Sequence, residues 1–271
     1  MSSTSGLRAG ILIIGSLLWD LKKLDRGRWQ YERLDMAAKE PVHAPLRYGR
    51  LSSGGERQGQ YTMTLSGTAG PGIGYAVPCK RALSTIADLE AEVHALAIAE
   101  GLVDSYGAAR WKTFGAVGVA FRDPAADVVP RLAELWGQSF GFRCNLATTL
   151  WETYRQLGEA PPVSHDGVLT IGWPAGADSG EPLAFDLLLA TATEPSPIGR
   201  RYANADEIAE SLVYPAGNAD YFRGNVLNGI RTQDDAAIWS ALEAKAPAWL
   251  RTDRYAQLEV RMREPLALGS R

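Results

Sequence analysis

The stretch ILIIGSLLWD, residues 11–20, begins with four consecutive apolar residues and then changes abruptly to glycine and serine. The run Ile11–Ile14 is rich in β-branched residues and lacks polar alternation, so it predicts a short buried strand. Gly15 lets the backbone approach a ligand closely, and the amides that follow can point outward. A strand that ends in an amide-rich turn is a common way to hold a carboxylate or an oxyanion, although many buried strands end in Gly-Ser without binding anything.

The composition is that of a globular protein with a sizeable core. The chain has 271 residues, of which 46% are hydrophobic and 22% charged, and its net charge is −3. This balance gives no indication of nucleic-acid or anionic-membrane binding. No apolar stretch reaches the ~20 residues that a membrane span needs, and the polar N-terminal residues do not have the pattern of a signal peptide. We therefore expect a cytoplasmic protein.

The cysteines and histidines are few and widely spaced. Cys79 and Cys144 are expected to be reduced and packed rather than joined in a disulfide. The three histidines have no metal-binding spacing among themselves or with a cysteine, so no metal site is expected.

Local patterns predict an α+β fold in which strands come first and helices last. The clearest helix covers residues 84–100, with Ser84 or Thr85 as its cap and Gly101 after its end. Residues 22–38 are expected to be irregular or to form a short helix. The first strand and its turn are predicted over 10–19, and further strands over 42–51, 61–66, 72–77 and 111–121. A hairpin is predicted from 168–173 and 183–191, and further helices over 128–136, 146–157, 204–213, 219–231 and 236–244.

Several segments, taken in order, resemble the ChaC-type γ-glutamylcyclotransferases. That family opens with a strand ending in Tyr-Gly-Ser-Leu, closely followed by Trp, and the corresponding segment here is Ile14–Trp19. The similar segments that follow are RYGRLSS (47–53) with Arg57, MTL (63–65), GIGY (72–75), DEIAESLV (206–213) and NADYFRGNVLNGIR (218–231). The resemblance covers residues 10–95 and 165–232. It implies one domain over residues 1–271, a small mixed β-barrel or sheet with flanking helices, and an insertion at about 102–165.

The resemblance also implies a reaction. In that family the α-amine of a γ-glutamyl group attacks its own γ-carbonyl, which releases 5-oxoproline and an amine, and a glutamate moves the protons. Glu92 is our first candidate for that glutamate, because it lies near the edge of the buried stripe of its helix, and Glu100 is the second. The resemblance implies a small-molecule substrate and no cofactor or metal, and the oligomeric state is open. Its implied substrate-binding residues are Gly15, Ser16, Leu17, Arg47, Arg50, Arg57 and Tyr221.

Other interpretations of the same residues remain open. Ile14 stands where the family has tyrosine, which allows a non-catalytic ligand-binding or interaction module on the same fold. A hydrolase that uses Ser16 or Cys79 as nucleophile is a third interpretation, although no G-x-S-x-G elbow is present. A glutamate at a helix edge is most often solvated, strand arginines most often face solvent, and a helical tyrosine such as Tyr221 most often packs in the core.

Overall fold

The computed structural model describes residues 6–103, 111–124, 126, 128–144, 149–214 and 220–263. Within these ranges one mixed sheet forms, with strand order β3-β2-β4-β1-β6-β5. All neighbouring strands are antiparallel except β1 and β6. The strands are β1 (Ala9–Ile13), β2 (Glu40–Leu51), β3 (Tyr61–Leu65), β4 (Pro71–Pro78), β5 (Gly115–Phe121) and β6 (Leu187–Thr193).

The strand predicted at the start of the chain lies in the centre of the sheet. Strand β1 pairs antiparallel with β4 and parallel with β6, and all five of its residues are buried. Both faces of β1 are covered, which explains its uninterrupted apolar sequence. The α+β class and the strands β1 to β5 are confirmed.

The sheet is strongly curved, so that strands far apart in its order approach each other. The Thr64 hydroxyl of β3 donates a hydrogen bond to the Thr193 carbonyl of β6 at 2.8 Å. Just beyond β6, the Ser196 N–H donates to the Gly49 carbonyl of β2, also at 2.8 Å. This curvature brings the ends of β2, β3 and β6 to one side of the molecule, where a hollow forms.

Helices α1 to α4 lie between strands along the chain, and α5 to α9 follow the last strand. Helix α2 has a capping box between Thr85 and Asp88, and it ends at Gly101, whose φ of 79° is left-handed. The prediction of this helix is confirmed, and its last residue is Glu100. The helices are α1 (Leu24–Arg33), α2 (Ile86–Glu100), α3 (Val129–Arg143), α4 (Thr149–Gln156), α5 (Ala205–Val213), α6 (Asp220–Leu227), α7 (Asp235–Lys245), α8 (Pro247–Leu250) and α9 (Asp253–Arg263).

The predicted hairpin from residues 168–173 and 183–191 is wrong. Strand β6 begins at Leu187, and β1 and β5 occupy its two edges, so no edge is left for residues 168–173. That segment contributes only the isolated bridges Val119–Val168 and Val163–Leu169. Strand β5, which falls inside the range predicted as an insertion, is an edge strand of the sheet.

None of the helices in the described ranges combines the length and the apolar character needed to cross a membrane.

Candidate functional site

A cavity of about 670 Å³ lies where the loop after β1, the end of α2 and the curved sheet meet. Its walls come from segments that are distant in sequence, and the curvature of the sheet brings them together. The lining includes Ile14, Gly15, Ser16, Leu17, Asp20, Lys22, Lys23, Arg26, Arg50, Glu56, Arg57, Met63, Glu100, Lys112, Phe114, Thr191, Thr193 and Tyr221.

The loop after β1 presents backbone donors at the cavity. A short 3-10 helix covers Ser16–Leu18, and the Leu18 N–H donates to the Gly15 carbonyl at 3.0 Å. The N–H groups at the start of a helix have no acceptor within it. None of the described residues accepts a hydrogen bond from the N–H of Gly15, Ser16 or Leu17. Gly15, Ser16 and Leu17 all line the cavity, so the predicted amide-rich turn forms part of its wall.

Gly15 is required by a close contact with Tyr221. A Cβ atom added at Gly15 would lie 2.7 Å from the Tyr221 hydroxyl oxygen. That oxygen also accepts a hydrogen bond from the Met63 N–H at 3.0 Å, which fixes its position. The close approach expected at Gly15 is thus made by a tyrosine side chain of the protein itself. Tyr221 is 4% exposed and lines the cavity, so it is both a packing residue and part of the wall.

Two arginines hold the loop in place. Arg57 Nη1 donates to Ser16 Oγ at 2.8 Å and Arg26 Nη1 donates to the same oxygen at 3.2 Å. Both guanidinium groups are ion-paired with Asp20. Arg57 also lies over the rings of Trp19 and Tyr221, at 5.4 and 4.9 Å from their centroids.

Glu100 is the carboxyl group in the cavity that has no direct partner. It lines the wall, and no described residue makes a hydrogen bond or ion pair with its side chain. Burial raises the pKa of Glu100 above the ordinary value, and the nearby charges of Arg26, Arg50, Lys23 and Arg57 partly oppose this. Glu100 is therefore a carboxyl group of raised pKa, surrounded by cations that do not neutralise it by contact.

Glu92, our first choice from the sequence, lies outside the cavity. Its Oε1 is 2.7 Å from Arg33 Nη1, and its side chain is 5% exposed. Glu100 follows Glu92 by eight positions, a rise of about 12 Å along the helix, and of the two only Glu100 lines the cavity. The choice of Glu92 assumed that the edge of the buried stripe faces the pocket, whereas here that edge packs against α1. The structure brings Glu100, not Glu92, to the loop.

The two arginines of β2 have different surroundings. The β2–β3 register shifts between Tyr48 and Arg50, which turns Arg50 to the same face as Arg47. Arg47 lies 4.2 Å from the centroid of the Tyr202 ring and outside the cavity, contrary to its expected role. Arg50 lines the cavity and stacks over Phe114 at 4.6 Å. None of the described residues makes a hydrogen bond or ion pair with its guanidinium group.

The sequence interpretation missed several cavity residues. Thr191 lines the cavity, and its buried Oγ1 has no hydrogen-bond partner among the described residues. A polar residue in the buried strand LLLATAT is a signal that could have identified it. Asp20, Lys23 and Arg26 follow the Gly-Ser turn directly, and their charges next to a suspected anion site were a further signal.

The residues proposed for a hydrolase are poorly suited to it. Burial raises the pKa of the Cys79 thiol to about 12, with Glu92 adding to the shift, and Cys79 does not line the cavity. No histidine of the described residues lines the cavity to activate Ser16, whose hydroxyl accepts from two arginines. Cys79 and Cys144 are both free, as predicted.

The cavity is cationic. Of its lining residues within the described ranges, six are lysine or arginine and three are aspartate or glutamate. Such a lining favours negatively charged ligands. Across the described residues, no group of three or more His, Cys, Asp or Glu side chains is arranged to hold a metal ion.

The described residues define an α+β protein with a basic cavity that is lined by the Gly15–Leu17 loop and by a carboxyl group, Glu100, that has no direct partner among them. Comparison with models of protein families, with curated proteins and with solved structures finds no match to this chain.

Proposed function

We propose that this protein is an enzyme of the γ-glutamylcyclotransferase type, which converts a small γ-glutamyl amide into 5-oxoproline and a free amine. The observation that carries the proposal is the meeting of Glu100 and the Gly15–Leu17 amides in one cationic cavity. The ordered sequence segments that resemble the ChaC-type family, and a curved mixed sheet with flanking helices, are consistent with this assignment.

Glu100 is the proposed proton carrier. The α-ammonium of the substrate cannot attack until it has lost a proton, and the leaving amine must gain one. A carboxylate of raised pKa accepts the first proton at neutral pH and returns it to the leaving nitrogen. A bond forms between the α-nitrogen and the γ-carbon, and the bond from that carbon to the leaving nitrogen breaks. No water is consumed.

The N–H groups of Gly15, Ser16 and Leu17 are the proposed oxyanion and carboxylate donors. Negative charge develops on the γ-carbonyl oxygen during attack, and fixed donors stabilise it best in a partly enclosed site. Arg57 and Arg26 fix the Ser16 hydroxyl and thereby the orientation of this loop. The basic lining attracts the α-carboxylate of the γ-glutamyl group.

Ile14 stands where the resembled family has tyrosine, but a tyrosine hydroxyl from another element lies beside the same loop. The Tyr221 hydroxyl, supplied by α6, lies against Gly15 and lines the same cavity. A partly buried carboxyl group without a direct partner among the described residues is costly to maintain in a protein that only binds anions. This cost favours the enzyme over the non-catalytic binding module.

A substrate panel tests the proposal. Purified wild-type protein, Glu100→Gln and the matched control Glu92→Gln are incubated with γ-glutamyl dipeptides and glutathione, and 5-oxoproline is quantified by mass spectrometry. We expect turnover by the wild type, a loss of about 10²-fold or more in kcat for Glu100→Gln, and activity in folded Glu92→Gln. The absence of 5-oxoproline with every substrate, or full activity of Glu100→Gln, would overturn it.

A further inference from the structure

Two polar side chains in the sheet wall of the cavity have no hydrogen-bond or ion-pair partner among the described residues. One is the guanidinium group of Arg50, at the end of β2, and the other is the hydroxyl of Thr191, in β6. Thr191 is 8% exposed and its Oγ1 has no hydrogen-bond partner among the described residues. A buried polar atom without a partner carries a desolvation cost, so each such atom in a native structure requires an explanation.

Arg50 differs from the other arginines of this wall. Arg57 and Arg26 are both satisfied by Asp20 and Ser16. Arg50 lies over the Phe114 ring, a contact that satisfies none of its N–H donors. Its nearest acidic neighbours act only through space, and one of them, Glu194, already accepts a hydrogen bond from Thr153. A planar guanidinium group in this state is suited to a bidentate oxyanion.

A β-bulge between Tyr48 and Arg50 decides which way the Arg50 side chain points. In a regular strand, residues 47 and 50 would point to opposite faces of the sheet. The register shift after Tyr48 turns both arginines to one face, but only Arg50 reaches the cavity. Bulges often re-aim a side chain next to a site. Gly49 allows this bulge to lie close to β3, because a Cβ there would be 2.7 Å from Thr64 Cγ2.

We propose that Arg50 and Thr191 form a second oxyanion-binding subsite, separate from the Gly15–Leu17 amides. Resting on the proposed function, this subsite selects γ-glutamyl compounds whose leaving amine carries a carboxylate or another oxyanion. Arg50 supplies a bidentate, charged contact and Thr191 donates its hydroxyl hydrogen to the same group. Arg50 and Glu100 line the same cavity, so a substrate held by this subsite lies in the cavity that contains the proton carrier. Arg57 is then a positioning residue of the loop.

Matched substrates test the subsite. The leaving amine of γ-glutamylglycine carries a carboxylate, and that of γ-glutamylaminomethylphosphonate carries a phosphonate. The leaving amine of γ-glutamylglycinamide carries an uncharged amide in the same position. We expect the kcat/KM of the wild type to be at least tenfold higher for the two charged substrates than for the amide. Whichever of the carboxylate and the phosphonate gives the higher kcat/KM identifies the oxyanion that the subsite binds. Arg50→Gln should reduce this preference at least tenfold, and Thr191→Val, which is close in shape, should reduce it severalfold.

Arg47→Gln is the control, because it removes a stacked arginine from the same face of the same strand outside the cavity. It should keep the wild-type preference. A wild type that does not prefer charged substrates, or an Arg50→Gln variant that keeps the preference, would overturn the subsite. If Arg50→Gln does not fold, Thr191→Val decides in the same way.

Binding measurements separate this proposal from the proposed function. Calorimetric titration with γ-glutamylglycine and γ-glutamylglycinamide gives the ratio of their Kd values without turnover. Suppose that the protein releases no 5-oxoproline but binds γ-glutamylglycine more tightly than the amide, and that Thr191→Val loses this difference. That result supports the subsite and contradicts the cyclotransferase activity. Turnover with equal Kd values for the two compounds contradicts the subsite alone.

Discussion

Arg33 Nη1 lies 2.7 Å from Glu92 Oε1, in an ion pair that joins α1 to α2 outside the cavity. The two candidate glutamates of helix α2 are therefore of different kinds. Glu92 is buried against a counter-charge and has a structural role. Glu100, two turns further along, lines the cavity and has no hydrogen-bond or ion-pair partner among the described residues. Environment rather than residue type separates the two.

Removing Arg33 and removing Glu92 should lower the unfolding free energy by different amounts. Arg33→Met leaves a buried carboxylate without its counter-charge, which we expect to cost about 3 kcal/mol of unfolding free energy. Glu92→Gln keeps a hydrogen-bond acceptor and leaves Arg33, which is 34% exposed, in contact with water, so we expect a cost of about 1 kcal/mol. Equilibrium denaturation in urea measures both values. Equal losses, or a larger loss for Glu92→Gln, would contradict this description of the pair.

Gly15→Ala should disturb the loop through Tyr221. The added Cβ would lie 2.7 Å from the tyrosine hydroxyl, which is held by the Met63 N–H, so we expect a destabilisation of about 1–3 kcal/mol. Tyr221→Phe removes the clashing oxygen, and the double variant should therefore be more stable than the sum of the two single changes predicts. If the losses of stability of the two single variants simply add in thermal denaturation, the Tyr221 hydroxyl is not what excludes a side chain at residue 15.

The pH dependence of turnover should respond to Lys23. The proposed reaction needs the ionised form of Glu100, so kcat/KM should fall as the pH is lowered through the pKa of that group, which burial raises. The positive charge of Lys23 opposes that rise, and Lys23→Met should therefore move the acidic limb of the profile to higher pH. Lys22→Met is the control, because Lys22 pairs with Glu56. A shift to lower pH, or equal shifts in both variants, would contradict the assignment of Glu100.

The cysteines should be inert. Burial raises the pKa of Cys79 and of Cys144 to about 12, so at pH 8 only about one thiol in ten thousand is ionised, and the thiolate is the reactive form. We expect iodoacetamide to label neither cysteine of the native protein at a rate near that of free cysteine. Rapid labelling of Cys79 with loss of turnover would instead favour the hydrolase interpretation.

Local sequence signals predicted the elements that frame the cavity. The apolar run that ends at Gly15 identified β1 and its turn. The Thr85 capping box and the left-handed Gly101 are set by neighbouring residues, so the ends of α2 could be predicted closely. Helix α9 was not predicted, because most of its residues are polar or charged. It nevertheless contributes Tyr255 and Leu258 to the core.

Long-range pairing and side-chain direction could not be predicted. The sequence of β6 does not reveal that it pairs with β1 in parallel, because partner choice depends on the whole sheet. Helix α2 is rich in alanine, so its pattern did not identify the face that meets the cavity, and Glu92 was preferred to Glu100. Strand alternation puts Arg47 and Arg50 on opposite faces, and only the bulge at Gly49 brings them to one.

A crystal structure of Glu100→Gln with bound γ-glutamylglycine tests the central claim most directly. The measured quantity is the distance from the α-nitrogen of the ligand to the side-chain amide of residue 100. We predict hydrogen-bond distance, about 3 Å, with the γ-carbonyl oxygen near the Gly15–Leu17 amides. A ligand bound outside the cavity, or held in it with the α-nitrogen turned away from residue 100, would contradict the account.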